Sequence, residues 1–492
     1  MEPQRLSFND AKFQFLLSKE IDPRFDRNVE IADDYHVSHT SSTDVLSAEE
    51  QGKRITIVGL CVDAYGLIAR EDIAAHLLDE VSSLNEFLTS VTRFAGKYLI
   101  IYQSYGTTHV VGDATSSLPL YYTFEKNKVC VSSSAYLTAS FIGNKLSDNA
   151  IKARRGAGLD QALPYDVTLY DNVFSLLPNY YLDLLNGQAA RYFPVVGQTG
   201  QRLPLDEVVE KSVVLIGNIV KEYSKYHELI CPLTAGWDSR VVYAFLKRET
   251  DVKCYTFRHP RFTADAAELT VPKAICEANN NEYDVLEVKS ATDEFAGDLK
   301  DIIGAFHDSG KVNLAYSYRD KYKEGALING DIMGQIGKSS LFNAVPAWLS
   351  PNSYFVTKTH NYSAAGWKLT AAHLKDIRGA SKGGAIFDLF SWENRCGRWA
   401  AQSSEIYSAC GINMLNIFNC ADLIRMWLAV PPAQRVDNKI HLGMLNAVSP
   451  ELLAYPCNPD SKIDWLRKNS YVYFVASHIK YGLGGVKRLA KT

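Results

Sequence analysis

Between residues 205 and 331 the apolar pattern switches repeatedly between a helical and an extended period. This constrains the fold more than any other feature of the 492-residue chain. Residues 205–224 set Val209, Val213, Ile216, Val220 and Tyr223 on one helical face. Strands are predicted at 228–233, 252–257 ("VKCYTF"), 282–288 ("EYDVLEV") and 324–331 ("EGALINGD"). Helices are predicted at 239–249 and over "DAAELTVPKAICEANN", where Pro272 must start or kink part of the run. Such alternation predicts an α/β unit with a doubly wound parallel sheet. From about residue 365 the pattern is mainly helical, a helical C-terminal extension.

The first 190 residues are patterned differently. "RITIVGLCVDAYG" and "GKYLIIYQSYGTTHVVGDATSSLPLYYTFEKNKVCVSSSAY" alternate apolar and polar residues, with hairpin turns expected at "YGTT" and "EKNK". "AAHLLDEVSSLNEFLTSVTRF" has helical spacing. "NVFSLLPNYYLDLLNGQAARYF" reads as two short strands turning at Asn186-Gly187. The expectation is an α+β sandwich, joined to the second half through the seam "FPVVGQTGQRLPLDE" at 193–207.

Composition narrows the function classes. The net charge of −3 argues against a general nucleic-acid binder. The one basic bias, from His478 to Thr492 with Lys480, Lys487, Arg488 and Lys491, reads as a solvated terminus or a polyanion contact. The start "MEPQRLSFND" lacks the layout of a secretory signal, and no apolar run reaches the ~18–20 residues that span a bilayer. Nine scattered cysteines without a CxxC pair fit reduced thiols, and the expected location is cytoplasmic.

The segment "CPLTAGWDSRVV" (231–242) joins a predicted strand to a predicted helix. Ligands of such sheets sit beyond the carboxyl ends of the strands. Thr234, Ala235 and Gly236 keep side chains small, so backbone N–H groups can approach an anion at the helix start. Thr234 and Ser239 add hydroxyls. Asp238 would repel a phosphate unless a cation intervenes, so its natural role there is to ligate Mg²⁺. The bland alternative is a helix cap from Asp238 or Ser239 with Gly236 relaxing the turn.

"LTAGWDSR" resembles the SGGxDS pyrophosphate loop of the PP-loop ATP pyrophosphatases, and the order of features around it resembles the asparagine synthetase group. "VVGDATSSLPLYYTFEKNKVCVSSSAY" and "TLYDNVFSLLPNYYLDL" are similar to segments of that group's glutaminase-like amino-terminal domain. "FTADAAELTVPKAICEANNNEYDVLEV" and "NIFNCADLIRMWLAVPPAQRVDNKIHLGMLNAVSPELL" are similar to segments of its synthetase domain. "WENRCGRWAAQ" and "INGDIMGQIGKS" look like the sugar-cluster-type relatives. The resemblance implies two domains: a degenerate glutamine amidotransferase-like sandwich of the N-terminal-nucleophile type at 1–197, and a PP-loop α/β domain at 205–492. It implies an ATP-dependent ligase that makes an acyl-adenylate, releases pyrophosphate and forms an amide, with ATP and Mg²⁺ as cofactors. The implied partners are small-molecule or peptide carboxylates and amines, not nucleic acid or membrane, and a homo-oligomer is compatible with this.

Carried over residue by residue, the resemblance puts Thr234, Gly236, Asp238 and Ser239 at the phosphates, and Leu233, Phe257 and Arg258 near the adenine. Gly330 and Asp331 fall in the second acidic motif, with Asp331 as a metal ligand or proton-transfer group, against a plain strand-end turn acid. Ile328 and Ile332 stand where the family has acids, which should weaken Mg²⁺ binding or require ligands from elsewhere. Lys462 falls near a pyrophosphate-contacting lysine, against a solvated one. Arg240 is open between a second ATP contact and a surface helix arginine. In "SWENRCGRW", core packing competes with a substrate-facing Glu393–arginine pair. Glu2 replaces the nucleophilic cysteine of glutamine-dependent relatives, and the first cysteine is Cys61 in a strand-like run, so glutamine hydrolysis is not expected. The competing class is a degenerate homologue that binds a nucleotide or partner without turnover.

Overall fold

Alternating apolar residues in the first 190 positions build two antiparallel sheets. Their strands are β1 (Phe15–Ser18), β2 (Arg27–Glu30), β3 (His36–His39), β4 (Val45–Glu50), β5 (Lys53–Asp63), β6 (Phe94–Ser104), β7 (Thr107–Gly112), β8 (Tyr121–Thr123), β9 (Cys130–Ser132), β10 (Phe174–Ser175), β11 (Tyr180–Asp183) and β12 (Gln188–Arg191). The sheet orders are β10-β8-β9-β1-β3-β2 and β12-β11-β7-β6-β5-β4. The computed structural model describes residues 5–457 except 32, 126–127, 159–161, 195–201, 260–261, 306, 339–350, 362 and 381–384, together with four isolated positions (472, 475, 476 and 479) beyond 457. Residues 195–201 of the predicted seam at 193–207 therefore lie outside the described residues.

The two-residue side-chain period explains the layering. Phe15, Leu17 and Val37 of one sheet meet Val58, Leu60, Leu99 and Ile101 of the other in a shared core. The intervening residues Ile57, Cys61, Tyr98, Ile100 and Tyr102 face the opposite way, onto helices Ile73–Glu80 and Leu84–Ser90. The stretch of helical spacing at 74–94 thus forms two helices. Ser83 Oγ accepts the Glu86 N–H, and the Glu86 carboxylate accepts the Ser82 N–H at 2.8 Å, so a capping box starts the second helix. Tyr105 and Gly106 both have positive φ (49° and 80°) between β6 and β7, as a tight two-residue hairpin requires. The turn at Asn186-Gly187 joins β11 to β12 as expected. At "EKNK", β8 and β9 pair antiparallel, although Lys126 and Asn127 are outside the described residues.

The second half supplies a five-stranded sheet: β13 (Leu229–Pro232), β14 (Lys253–Arg258), β15 (Tyr283–Glu287), β16 (Ala326–Asn329) and β17 (Asn413–Asn416). Every pairing is parallel, and the order is β15-β14-β13-β16-β17. Counted from β13 this is 3-2-1-4-5, so the strand order reverses between β13 and β16. Helix Leu205–Ser224 matches its predicted span and buries Val208, Val209, Leu215, Ile216, Ile219, Val220 and Tyr223, while Val213 is only half-buried. The helix after the loop runs Trp237–Glu249, and the helix Ala267–Ala278 accommodates Pro272 in its interior.

Two features depart from the predicted helical C-terminal region. β17 is a buried strand within it, which "NMLN" conceals because two of its four residues are asparagines. Ser391–Ala400 is π-helical, as is Met333–Gly337 just after β16 and outside that region. Their i→i+5 bonding is rare and concentrates at functional sites.

Candidate functional site

The loop after β13 and the turn after β16 flank the reversal of strand order, where open α/β sheets form a crevice. β13 ends at Pro232, and the helix after it begins at Trp237 with Gly236 as its N-cap. Within this loop the Thr234 N–H donates to Ser239 Oγ (3.0 Å), the two hydroxyls lie 2.9 Å apart, and the Gly236 N–H donates to Thr234 Oγ1 (3.2 Å). The Ala235 N–H donates to Glu268 Oε2 at 3.0 Å. A carboxylate therefore already occupies an anion-accepting N–H of this loop.

Asp238 is not the cap that the bland alternative assigns to it. Its Oδ1 meets Nε2 of the buried His441 at 2.7 Å, while the side chain remains 45% exposed. The carboxylate thus looks into open space rather than into packed interior. Gly334 shapes its other side: a Cβ there would lie 2.5 Å from Asp238 Oδ2. Gly330 packs a Cβ-less face against Val242 and the Asp238 backbone.

Asp331 follows β16. Its N–H donates to Asn329 Oδ1, and Asn329 Nδ2 donates to its Oδ2, both at 2.7 Å. This local turn is what the plain reading of Asp331 predicts. Its electrostatics point further. Burial pushes the carboxyl above its ordinary value; the Asn329 bond opposes this, and the Asp238 charge adds to the rise. A cation would offset the Asp238 charge that bears on the buried Asp331 carboxyl. Mg²⁺ in nucleotide sites commonly uses one or two carboxylates, with phosphates and waters completing the shell. Asp238 and Asp331 fit that requirement, whereas no cluster of three metal-ligating side chains occurs among the described residues. A small cavity of about 30 Å³ backs onto Asp331, between Thr115 and Ser117 of the first half and Cys396 and Ser404.

The other predicted positions divide. Phe257 and Arg258 end β14 at the same sheet edge, Phe257 half-buried and Arg258 paired with Glu287 at 3.0 Å. Leu233 does not present its side chain to a ligand: it is fully buried, its N–H donates to Tyr255 O, and its carbonyl accepts from Thr256 Oγ1. Lys462 lies outside the described residues. Arg240 is neither an ATP contact nor a surface arginine. It is fully buried, stacks on Trp237, and donates to the carbonyls of Ala235, Leu452, Tyr455 and Pro456 at 2.8–3.2 Å, tying the late segment to the loop.

The Glu393–arginine pair is also corrected. Glu393 is fully buried and takes its arginine from the first half: Arg191 Nη1 and Nη2 at 2.5 and 3.1 Å, with Asn179 and His373 each at 3.2 Å. Against the cost of burial, these partners hold its carboxyl down at about 2. Arg398 donates to the carbonyls of Leu163 and Val167. Trp392 is packed in the core, as the bland alternative has it, and its indole donates to Ala114 O at 2.6 Å. Sequence reasoning missed Glu268 and His441, which lie in quoted segments but carry no local signal; only the fold brings them to the loop.

Cys61 is buried in β5 and its thiol is pushed well up by desolvation. A thiol held protonated in a core is a poor nucleophile. No helix among the described residues is long and apolar enough to cross a membrane.

No known protein family matches the chain, and no curated protein does. Among solved structures, the glutamine phosphoribosylpyrophosphate amidotransferase from B. subtilis, complexed with ADP and GMP, is similar at 9% identity and a TM-score of 0.25. The alignment covers 56% of this chain and 60% of that one, so the chain spans less than two thirds of the enzyme it matches.

Proposed function

We propose that the chain is an ATP-dependent carbon–nitrogen ligase of the PP-loop, asparagine synthetase-like kind. It would activate a small-molecule or peptide carboxylate as an acyl-adenylate, release pyrophosphate, and form an amide when an amine displaces AMP. One observation carries this reading: Thr234–Ser239 and Asp331 directly follow the two strands that flank the reversal in a 3-2-1-4-5 parallel sheet. Asp238 and Asp331 would hold Mg²⁺, which neutralises the phosphates. The loop N–H groups and the hydroxyls of Thr234 and Ser239 would hold departing pyrophosphate, with Glu268 giving up the Ala235 N–H. The buried Cys61 is unsuited to glutamine hydrolysis, which leaves a substrate amine or ammonia as the nitrogen source and residues 1–197 as a degenerate glutaminase-like domain.

A second reading, a homologue that binds nucleotide without turnover, is favoured by the Asp238–His441 pair and the Glu268 contact, since both reserve groups the reaction needs. Pyrophosphate release from ATP and Mg²⁺ across a panel of carboxylates separates the two. The ligase reading expects release that falls about 10²-fold or more in D238N and D331N. A nucleotide-dependent rise in Tm without release supports the binding protein. Neither release nor a thermal response to ATP would retire the ligase.

A further inference from the structure

A second polar cavity, of about 70 Å³, lies on the opposite face of the 391–409 segment from the one behind Asp331. Cys396, Ala400 and Ser404 line the cavity behind Asp331; Arg398, Gln402 and Glu405 line this one, together with Arg154, His307 and Tyr121. The arginines and Glu405 are each more than nine-tenths buried. So many charges are costly to bury without a reason in binding or packing.

The cavity brings groups of both signs together. Tyr121 Oη donates to Glu405 Oε2 at 2.8 Å. His307 Nε2 donates to Gly304 O at 3.1 Å, and burial keeps the ring neutral by pushing it down to about 4. Its Nδ1 is then an acceptor, and it has no hydrogen-bond partner among the described residues; neither does Gln402 Oε1. Two orphaned acceptors and a carboxylate thus share a cavity with two guanidinium groups. Burial pushes the Glu405 carboxyl up to about 7, opposed by the Tyr121 bond and the Arg398 and Arg154 charges.

We propose that this cavity binds a small zwitterion, its ammonium received by Glu405, His307 and Gln402 and its carboxylate by Arg154 and Arg398. A lone anion would leave the acceptors unmet, and a lone cation would face two arginines. Binding an ammonium favours ionised Glu405, so the site releases a proton on binding near neutral pH and binds more weakly at pH 6 than at pH 8. This inference is independent of the ligase reading, because it needs neither ATP nor Asp238.

The test is calorimetric titration of the full chain, without nucleotide, using glycine, β-alanine and L-serine, with acetate and methylamine as half-ligands. At least one zwitterion should bind more tightly than either half-ligand. Its enthalpy at pH 7 should vary with the ionisation enthalpy of the buffer, a sign of proton release that a purely structural carboxyl would not give. E405Q should weaken binding at least tenfold and abolish the buffer dependence. The proposal is overturned if no zwitterion binds, if acetate binds as well as the zwitterions, or if the wild-type enthalpy is independent of buffer. The last measurement uses the native protein, so it decides even if E405Q fails to fold.

Discussion

Replacing Glu393 by Gln isolates the charge of one buried side chain at the join of the two halves. Glu393 ties the π-helical 391–400 segment to β12 through Arg191, to the residue before β11 through Asn179, and to helix Ala364–Ala380 through His373. Its carboxyl falls from an ordinary 4.5 to about 2. At about 1.4 kcal/mol per pH unit, that displacement is worth on the order of 3 kcal/mol. Removing one partner of a buried pair costs about 3–5 kcal/mol by an independent route, because Arg191 is left charged and under-partnered. The sign follows from the depressed value. The stabilisation is fully present above pH 4.5, where the unfolded carboxyl is also ionised, and is lost as pH falls toward 2. Urea unfolding of wild type and E393Q, compared at pH 7, 4.5 and 2.5, tests this, since titrations common to both proteins cancel in the difference. E393Q should be less stable by about 3 kcal/mol at pH 7, with a gap that narrows to about 1 kcal/mol by pH 2.5. Equal stability at pH 7, or a gap that does not change with pH, would refute the assignment of this charge as a tie between the halves.

Two further outcomes follow from other positions. Lys97 is fully buried, bonded to Ser404 and Ser408 at 2.7 and 2.5 Å, and burial pushes its ammonium down to about 7. The unfolded lysine keeps its proton until pH 10.5, so wild type should gain several kcal/mol relative to K97M between pH 7 and 10, as read by urea unfolding at each pH. At Gly334, a Cβ would collide with Asp238 Oδ2, so G334A should displace that half-exposed carboxylate from His441 at little cost in thermal or urea unfolding, because the end of a flexible side chain gives way. It should also abolish any Mg²⁺-dependent thermal shift with ATP, whereas G330A, with 3.2 Å to Val242, should be milder.

Local pattern determined much of this molecule. Apolar periodicity located the helix at 205–224 and the strands of the parallel sheet other than β17, and "LTAGWDSR" was legible as a strand-to-helix loop because small residues and a helix start leave their mark within a few positions. Partnership across the chain was not legible. Arg191 with Glu393, His441 with Asp238, Glu268 with Ala235 and Arg240 with the carbonyls of 452–456 join residues from 33 to 216 positions apart. Each is a long-range pairing that nothing in the neighbouring residues announces, and for the buried Arg191–Glu393 and Arg240 contacts desolvation makes a partner obligatory. The sequence alone settled four strands of the parallel sheet and where the strand-to-helix bend at 233–236 would lie; tertiary packing decided which charges meet, because a charge cut off from water must bond to whatever the fold brings beside it.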